Sequence, residues 1–233
     1  MKIDYRITFP ITGRVNGKPK FFGTGFFIDH LGGFVTARHV LDEADIDEGT
    51  YFVILQLISD KTYQPRQVRH IYNHPDADIS LGKPYNLEID GKEFSNPIWD
   101  YVFDEPGINQ KVSTLSYPNS VQQDVENNVW SFIPDYFEGT LIDIHERCPT
   151  MRITTKCFQT DMEIHSGSSG GPVFNEDGKV IGVNSVSFEV EKGEVPVGFI
   201  TPLSFLKEIE IDSGEDKITF GELLFDQMNF EEE

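Results

Sequence analysis

Bases are scarce in this sequence. Lys and Arg number 19 against 39 Asp and Glu, for a net charge of −20. Phosphate backbones are bound by dense sets of Lys and Arg, so nucleic acid is excluded as a sequence-independent partner. An anionic membrane leaflet is disfavoured for the same reason. Cysteine is nearly absent: Cys148 and Cys157 alone do not make a disulfide scaffold in 233 residues. Reduced, partly buried thiols are the default expectation, with pairing across a hairpin left open. Long apolar runs are missing too, since nothing approaches the roughly 18 consecutive apolar residues of a membrane helix. No apolar stretch follows Met1-Lys2-Ile3-Asp4-Tyr5-Arg6, so a secretory signal is not expected and a cytoplasmic location is. No Cys/His cluster has zinc spacing, and neither metal nor cofactor is expected. Asp45-Ile46-Asp47-Glu48-Gly49 lacks the flanking helices and terminal Glu of a calcium loop, and reads as a solvated acidic turn.

What is present is core material and turns. Hydrophobic residues make up 38% and aromatics 12%, with 19 Phe, enough to pack an interior. Asn16-Gly17, Gly32-Gly33, Asp90-Gly91, Asp177-Gly178 and, more weakly, Lys192-Gly193 each separate β-prone segments. Asn-Gly and Asp-Gly suit tight hairpins because both central residues take positive φ. Short strands rich in Val, Ile, Phe, Tyr and Thr, such as Tyr51-Phe52-Val53-Ile54-Leu55, point to an all-β sandwich or barrel. Helical spacing is confined to the end. Thr201-Pro202 can start one helix carrying Leu203, Leu206 and Ile209, and a second is expected from about Phe220 to Met228. The expected division is 1–103, 104–206 and an acidic tail, 207–233, with the break near Asn96–Asn109.

The most informative string is Gly167-Ser168-Ser169-Gly170-Gly171-Pro172. A serine hydroxyl is a weak nucleophile unless a base takes its proton and fixed donors receive the oxyanion. Small neighbours leave the backbone around Ser169 clear for an approaching carbonyl. A Gly two residues earlier lets the N–H groups of Gly167 and Ser169 converge on one point as an oxyanion hole. Upstream, Thr36-Ala37-Arg38-His39 places a His just after an apolar strand, and Asp78-Ile79-Ser80-Leu81 places an Asp before a short apolar one. The chain order His, Asp, Ser is neither that of subtilisins nor that of α/β-hydrolases.

These segments and their order resemble the chymotrypsin-like serine proteases. Gln159-Thr160-Asp161 and Gly182-Val183-Asn184-Ser185 resemble the HtrA (Deg) branch in particular. The resemblance implies a double β-barrel followed by short C-terminal helices, with His39 and Asp78 on the first barrel and Ser169 on the second. It implies that Ser169 attacks the scissile carbonyl, that His39 takes and returns the proton, and that Asp78 orients the imidazole. Asp76 is a rival for Asp78 but is followed by Ala-Asp rather than Ile-Ser-Leu. His30, His70, His74, His145 and His165 read as surface or core histidines.

The same resemblance puts Glu163, six residues before the nucleophile, at the base of the S1 pocket, with Ser185, Val186 and Ser187 as one wall and Gly198 on the far side. A carboxylate at that base would favour basic P1 residues. The alternative is an outward-pointing Glu163 and an aliphatic P1 preference. Two departures from the family stand out. Ser168 replaces the Asp that pairs with a freed N-terminus in trypsins, and the residues after Leu206 are too few for the PDZ domain that follows HtrA protease domains. Protein or peptide substrates are implied, as is control by a loop, an activating partner or a homo-oligomer, with Ser116 to Ile144 as the candidate region. The alternative from another class is a protease-fold binding or regulatory module with little turnover.

Overall fold

The computed structural model describes residues 4–42, 49, 51–59, 62–118, 121–124, 129–150, 153–188, 196–212 and 217–224. The acidic turn at Asp45–Glu48, the Lys192-Gly193 turn and the end of the chain from 225 lie outside them.

Six antiparallel strands close the first barrel: β1 (Thr8–Val15), β2 (Lys18–Phe27), β3 (Phe34–Thr36), β4 (Val53–Ser59), β5 (Thr62–Asn73) and β6 (Ser80–Pro84), in the order β1-β2-β3-β6-β5-β4. The β1–β2 hairpin turns at Asn16 and Gly17, whose φ values of 51° and 72° are those a two-residue primed turn needs. The interior is aromatic. Phe9 lies 4.6 Å from Phe27 and 5.5 Å from Phe34, ring centroid to centroid. Gly82 on β6 has no side chain because the Phe34 ring occupies the space a Cβ would take.

A small hairpin, β7 (Glu88–Ile89) with β8 (Lys92–Glu93), turns at Asp90-Gly91 and leads into the connection. The second barrel is built from β9 (Lys111–Ser116), β12 (Asp135–His145), β13 (Cys157–Thr160), β14 (Pro172–Phe174), β15 (Val180–Phe188) and β16 (Val197–Pro202), in the order β12-β13-β16-β15-β14-β9. Between β9 and β12 a separate two-stranded ribbon pairs β10 (Val121–Asp124) with β11 (Val129–Ser131). Val112, Leu141, Phe158, Val173, Ile181 and Ile200 fill this barrel. Cys148 and Cys157 are buried and unbridged, and burial together with the neighbouring Cys148 thiol pushes the Cys157 thiol up.

The two barrels share one apolar cluster, in which Phe9 and Ile11 of the first join Leu115, Phe174, Val183, Leu203 and Leu206. Trp99 in the connection packs edge-on to Phe174 at 5.1 Å and donates its indole N–H to Thr8 Oγ1 at 3.3 Å. The Tyr117 hydroxyl donates to the Thr8 carbonyl at 3.1 Å. The barrels are thus joined by apolar packing and by hydrogen bonds.

Two local expectations change. Thr201 and Pro202 end β16 instead of starting a helix, and only a 3-10 turn, Leu203–Glu208, follows. The spacing of three between Leu203 and Leu206 fits that tighter turn. A hairpin of β17 (Glu210–Asp212) and β18 (Lys217–Thr219) comes next, which the helical reading of Ile209 did not foresee. The last expected helix begins at Phe220, with residues 220–224 helical. Thr219 Oγ1 accepts from the Glu222 N–H at 3.2 Å, while Glu222 Oε2 accepts from the Thr219 N–H at 2.7 Å, a reciprocal capping box.

Candidate active site

His39 sits on a one-turn helix, α1 (Arg38–Leu41), that starts as β3 ends. Asp78 lies in the turn between β5 and β6, against the same end of the barrel. The two side chains meet: His39 Nδ1 is 2.9 Å from Asp78 Oδ2 and 3.0 Å from Oδ1, and the His39 backbone N–H donates to Oδ1 at 3.0 Å. Asp78 is 6% exposed and the His39 side chain 21%, so the acid is buried behind an imidazole that reaches the cleft. Burial alone would push the Asp78 carboxyl up. The hydrogen bonds and charge of His39, with the Ser185 hydroxyl, outweigh burial and hold it below the usual carboxylate range. Asp76 is exposed, so Asp78 is the carboxylate that meets the imidazole.

Ser169 is carried by the loop before β14, and the first barrel holds that loop in place. Thr24 on β2 donates its N–H to the Ser169 carbonyl at 2.8 Å and its hydroxyl to the Gly167 carbonyl at 2.9 Å. Close approach demands glycine on both sides. A Cβ on Gly23 would stand 2.7 Å from the Ser169 carbonyl oxygen, and one on Gly170 would overlap Thr24 O and Thr36 Oγ1. The second barrel holds the other side, since the Gly170 N–H donates to the Asn184 carbonyl at 2.8 Å.

Three amides of the loop have acceptors: Ser168 to His165 O at 3.0 Å, Gly170 to Asn184 O, and Gly171 to Ser168 O at 3.0 Å. Those of Gly167 and Ser169 have none among the described residues. The Ser168–His165 bond closes a four-residue turn with Gly167 third at φ +93°, as a type II turn requires. The loop thus keeps two N–H groups without an acceptor among the described residues, one on Ser169 itself and one two residues before it. The Ser169 hydroxyl donates to the Ser185 carbonyl at 3.3 Å and, among the described residues, makes no hydrogen bond to His39. Ser185 links the parts: its carbonyl receives Ser169, and its hydroxyl bonds Thr201 Oγ1 at 2.7 Å and supports Asp78.

Beside Ser169 opens a pocket of about 490 Å³ whose lining includes Glu163, Ser185, Val186 and Ser187. Glu163 lines this pocket in the outward-pointing arrangement that was the alternative to a pocket-base acid. Its side chain is 64% exposed, and Oε1 pairs with His165 Nε2 at 3.3 Å. Gly198 does not line the pocket, because the Ile164 side chain lies over it; Pro196 and Val197 form that wall. His165 and Ser166, which the sequence reading left out, line the opening. Their position within four residues of Ser169 was the available signal.

The description "Trypsin-like peptidase domain" matches residues 23–183. The chain belongs to the trypsin-like peptidase family. Protease Do-like 5, chloroplastic, of Arabidopsis thaliana is 28% identical over 184 residues, covering 76% of this chain and 52% of that protein. A probable periplasmic serine endoprotease DegP-like of Rickettsia conorii is 30% identical over 206 residues, covering 86% and 35%. Its counterpart in a Marinomonas strain is 27% identical over 217 residues, covering 91% and 40%. The chain thus spans roughly a third to a half of the length of these relatives. The resemblance to the HtrA/Deg branch holds, and the names of these relatives give the expected cytoplasmic location no support. Among solved structures, that of Deg5 superposes with a TM-score of 0.62 at 21% identity, covering 85% of this chain and 84% of that one, a likeness of the double-barrel fold.

The residue before Ser169 is not the Asp of trypsins. Ser168 is fully buried and its Oγ accepts from the Ser116 hydroxyl at 2.9 Å. A neutral hydroxyl pair occupies the place where an Asp would draw in an ammonium group. The proposed control region is also less of a loop than expected: Asp135–His145 is a barrel strand paired with both β9 and β13. Its inward and outward residues do not alternate cleanly in polarity, which hid it.

Proposed function

We propose that the protein is a serine endopeptidase acting on protein or peptide substrates through Ser169, His39 and Asp78. One observation carries the reading: His39 Nδ1 meets the buried Asp78 carboxylate, and Ser185 bonds both that carboxylate and the Ser169 hydroxyl, in a loop whose Gly167 and Ser169 amides have no acceptor among the described residues. Asp78 keeps the proton on His39 Nδ1, which leaves Nε2 bare to accept the Ser169 proton. Ser169 Oγ then attacks the scissile carbonyl, and the negative oxygen moves into the two amides. His39 delivers the proton to the leaving amine, and water reverses the sequence to release the acyl group. Ser169 must first leave the Ser185 carbonyl, a rotation about one side-chain bond. That resting bond favours the reading that a substrate, partner or oligomer completes the site; a purified monomer already fully active on casein would count against it.

The pocket favours an aliphatic P1 residue. Met162, Ile164, Val186 and Val197 give it apolar stretches between the hydroxyls of Ser166, Ser185 and Ser187. The exposed Glu163 is paired with His165, and an exposed ion pair contributes at most about 1 kcal/mol to a passing cation. Casein hydrolysis by the full chain, abolished in Ser169→Ala, tests the reaction. No hydrolysis and no covalent labelling under any condition would favour the binding-module alternative.

A further inference from the structure

His74 lies outside the cleft, yet it is 3% exposed and every polar atom of its ring has a partner. Its Nδ1 accepts two backbone N–H groups of its own turn, from Asp76 at 3.1 Å and Ala77 at 2.8 Å. A nitrogen that accepts two amides carries no proton, so the ring proton is on Nε2, which faces Glu208 Oε2 at 3.3 Å. The Phe205 ring packs edge-on at 5.1 Å, so the 3-10 turn after the second barrel seals the imidazole in place. The residue after those two amides is Asp78.

The backbone around the ring is clamped as well. The His74 N–H donates to Ile79 O at 3.1 Å, and the Ile79 N–H to Ala77 O at 2.9 Å. Arg38, next to His39 on α1, donates from Nη1 to the carbonyls of His74 at 2.8 Å and Pro75 at 2.6 Å, and from Nε to Asp42 at 2.6 Å. Arg38 therefore reaches across from the segment that carries the base to the turn that carries the acid. Deleting the Nδ1 acceptor leaves two amides without a partner inside the turn, and the turn must open to hydrate them.

We propose that His74 is a positioning residue: its neutral imidazole holds the turn that aims the Asp78 carboxylate at His39. This rests on the reading of Asp78 and His39 as catalytic partners. A displacement of about 1 Å at a reacting constellation costs on the order of 100-fold in rate. His74→Phe keeps a ring against Phe205 but offers no acceptor. His74→Asn offers a carbonyl oxygen to the same amides, as Asn does in Asx turns.

The test is peptide hydrolysis and fluorophosphonate labelling by the full chain, in wild type and both variants. The expected result is a loss of about 100-fold in kcat for His74→Phe with KM changed less than about twofold, and recovery to within about tenfold of wild type in His74→Asn. A His74→Phe enzyme within about threefold of wild type, or equal losses in the two variants, overturns the proposal. Should His74→Phe not fold, His74→Asn decides alone: kcat within about tenfold supports the acceptor role and a larger loss refutes it. A wild type that fluorophosphonate never labels overturns the catalytic reading and this proposal with it, whereas a labelled wild type with an equally labelled His74→Phe overturns this proposal alone.

Discussion

Replacing Gly170 by Ala inserts one methyl group where the Ser169 loop meets the first barrel. The new Cβ would overlap the Thr24 carbonyl oxygen and Thr36 Oγ1, and would stand 3.0 Å from the Ala37 N. The carbonyl is backbone of β2 and the amide is backbone of Ala37, between β3 and α1, and neither can swing aside, so the loop must retreat by about 1 Å to regain ordinary contact. Its φ of +86° adds strain of about 1–2 kcal/mol for any residue with a Cβ. Retreat also strains the 2.8 Å bond from the Gly170 N–H to Asn184, worth about 1 kcal/mol. The expected loss of stability is therefore about 2–3 kcal/mol, or about 5–10 °C in Tm for a chain of this size. Ser169 is the adjacent residue, so the same shift lowers kcat by about 100-fold. Thermal unfolding by circular dichroism and hydrolysis of a chromogenic peptide measure the two effects. A Gly170→Ala protein that keeps its Tm within about 1 °C and its kcat within about threefold would refute the account of how the loop is held.

Asp78→Asn keeps the shape but turns an amide toward His39, which reverses the tautomer; kcat should fall by about 10,000-fold while the fold persists, measured by peptide hydrolysis beside a thermal melt. The Asp78 carboxyl is held below its ordinary value near 3.9, so its ionised form contributes stability that is fully present above about pH 4 and is lost as pH falls through the lowered folded value. The stability gap between wild type and Asp78→Asn, read by urea titration, should be flat from about pH 5 to 8 and close in acid. Glu163→Gln should leave a Val or Leu preference at P1 in a peptide library intact, because the carboxylate is exposed and paired with His165; a switch away from Arg or Lys in that variant would restore the basic reading.

The sequence carried the barrels and the His39–Asp78 pairing because each depends on local rules. Asn16-Gly17 and Asp90-Gly91 could be read as hairpins because positive φ at both positions is a property of those residues. Ser169 stood out because small residues surround it, and His39 and Asp78 because of the segments that carry them; the structure brings those two side chains together. Position in space was harder to read. Glu163 shares its spacing with a pocket-base acid, but its side chain is exposed and lies 3.3 Å from His165, which spacing alone does not reveal. The 3-10 turn at Leu203–Glu208 and the hairpin after it replaced a helix, because burial of Leu203, Leu206 and Ile209 against the shared core outweighs a weak propensity. His74 looked like any core histidine, since its role depends on two amides of its own turn meeting one nitrogen.

The central claim is that Ser169 is a nucleophile activated by His39 and served by the Gly167 and Ser169 amides. Intact-mass and peptide-mapping analysis after treatment with a fluorophosphonate tests it most directly. The account predicts one phosphonyl adduct, on Ser169, formed in the wild-type chain, absent in Ser169→Ala and strongly slowed in Asp78→Asn. An adduct on a different serine, or labelling of Ser169→Ala at the wild-type rate, would contradict it.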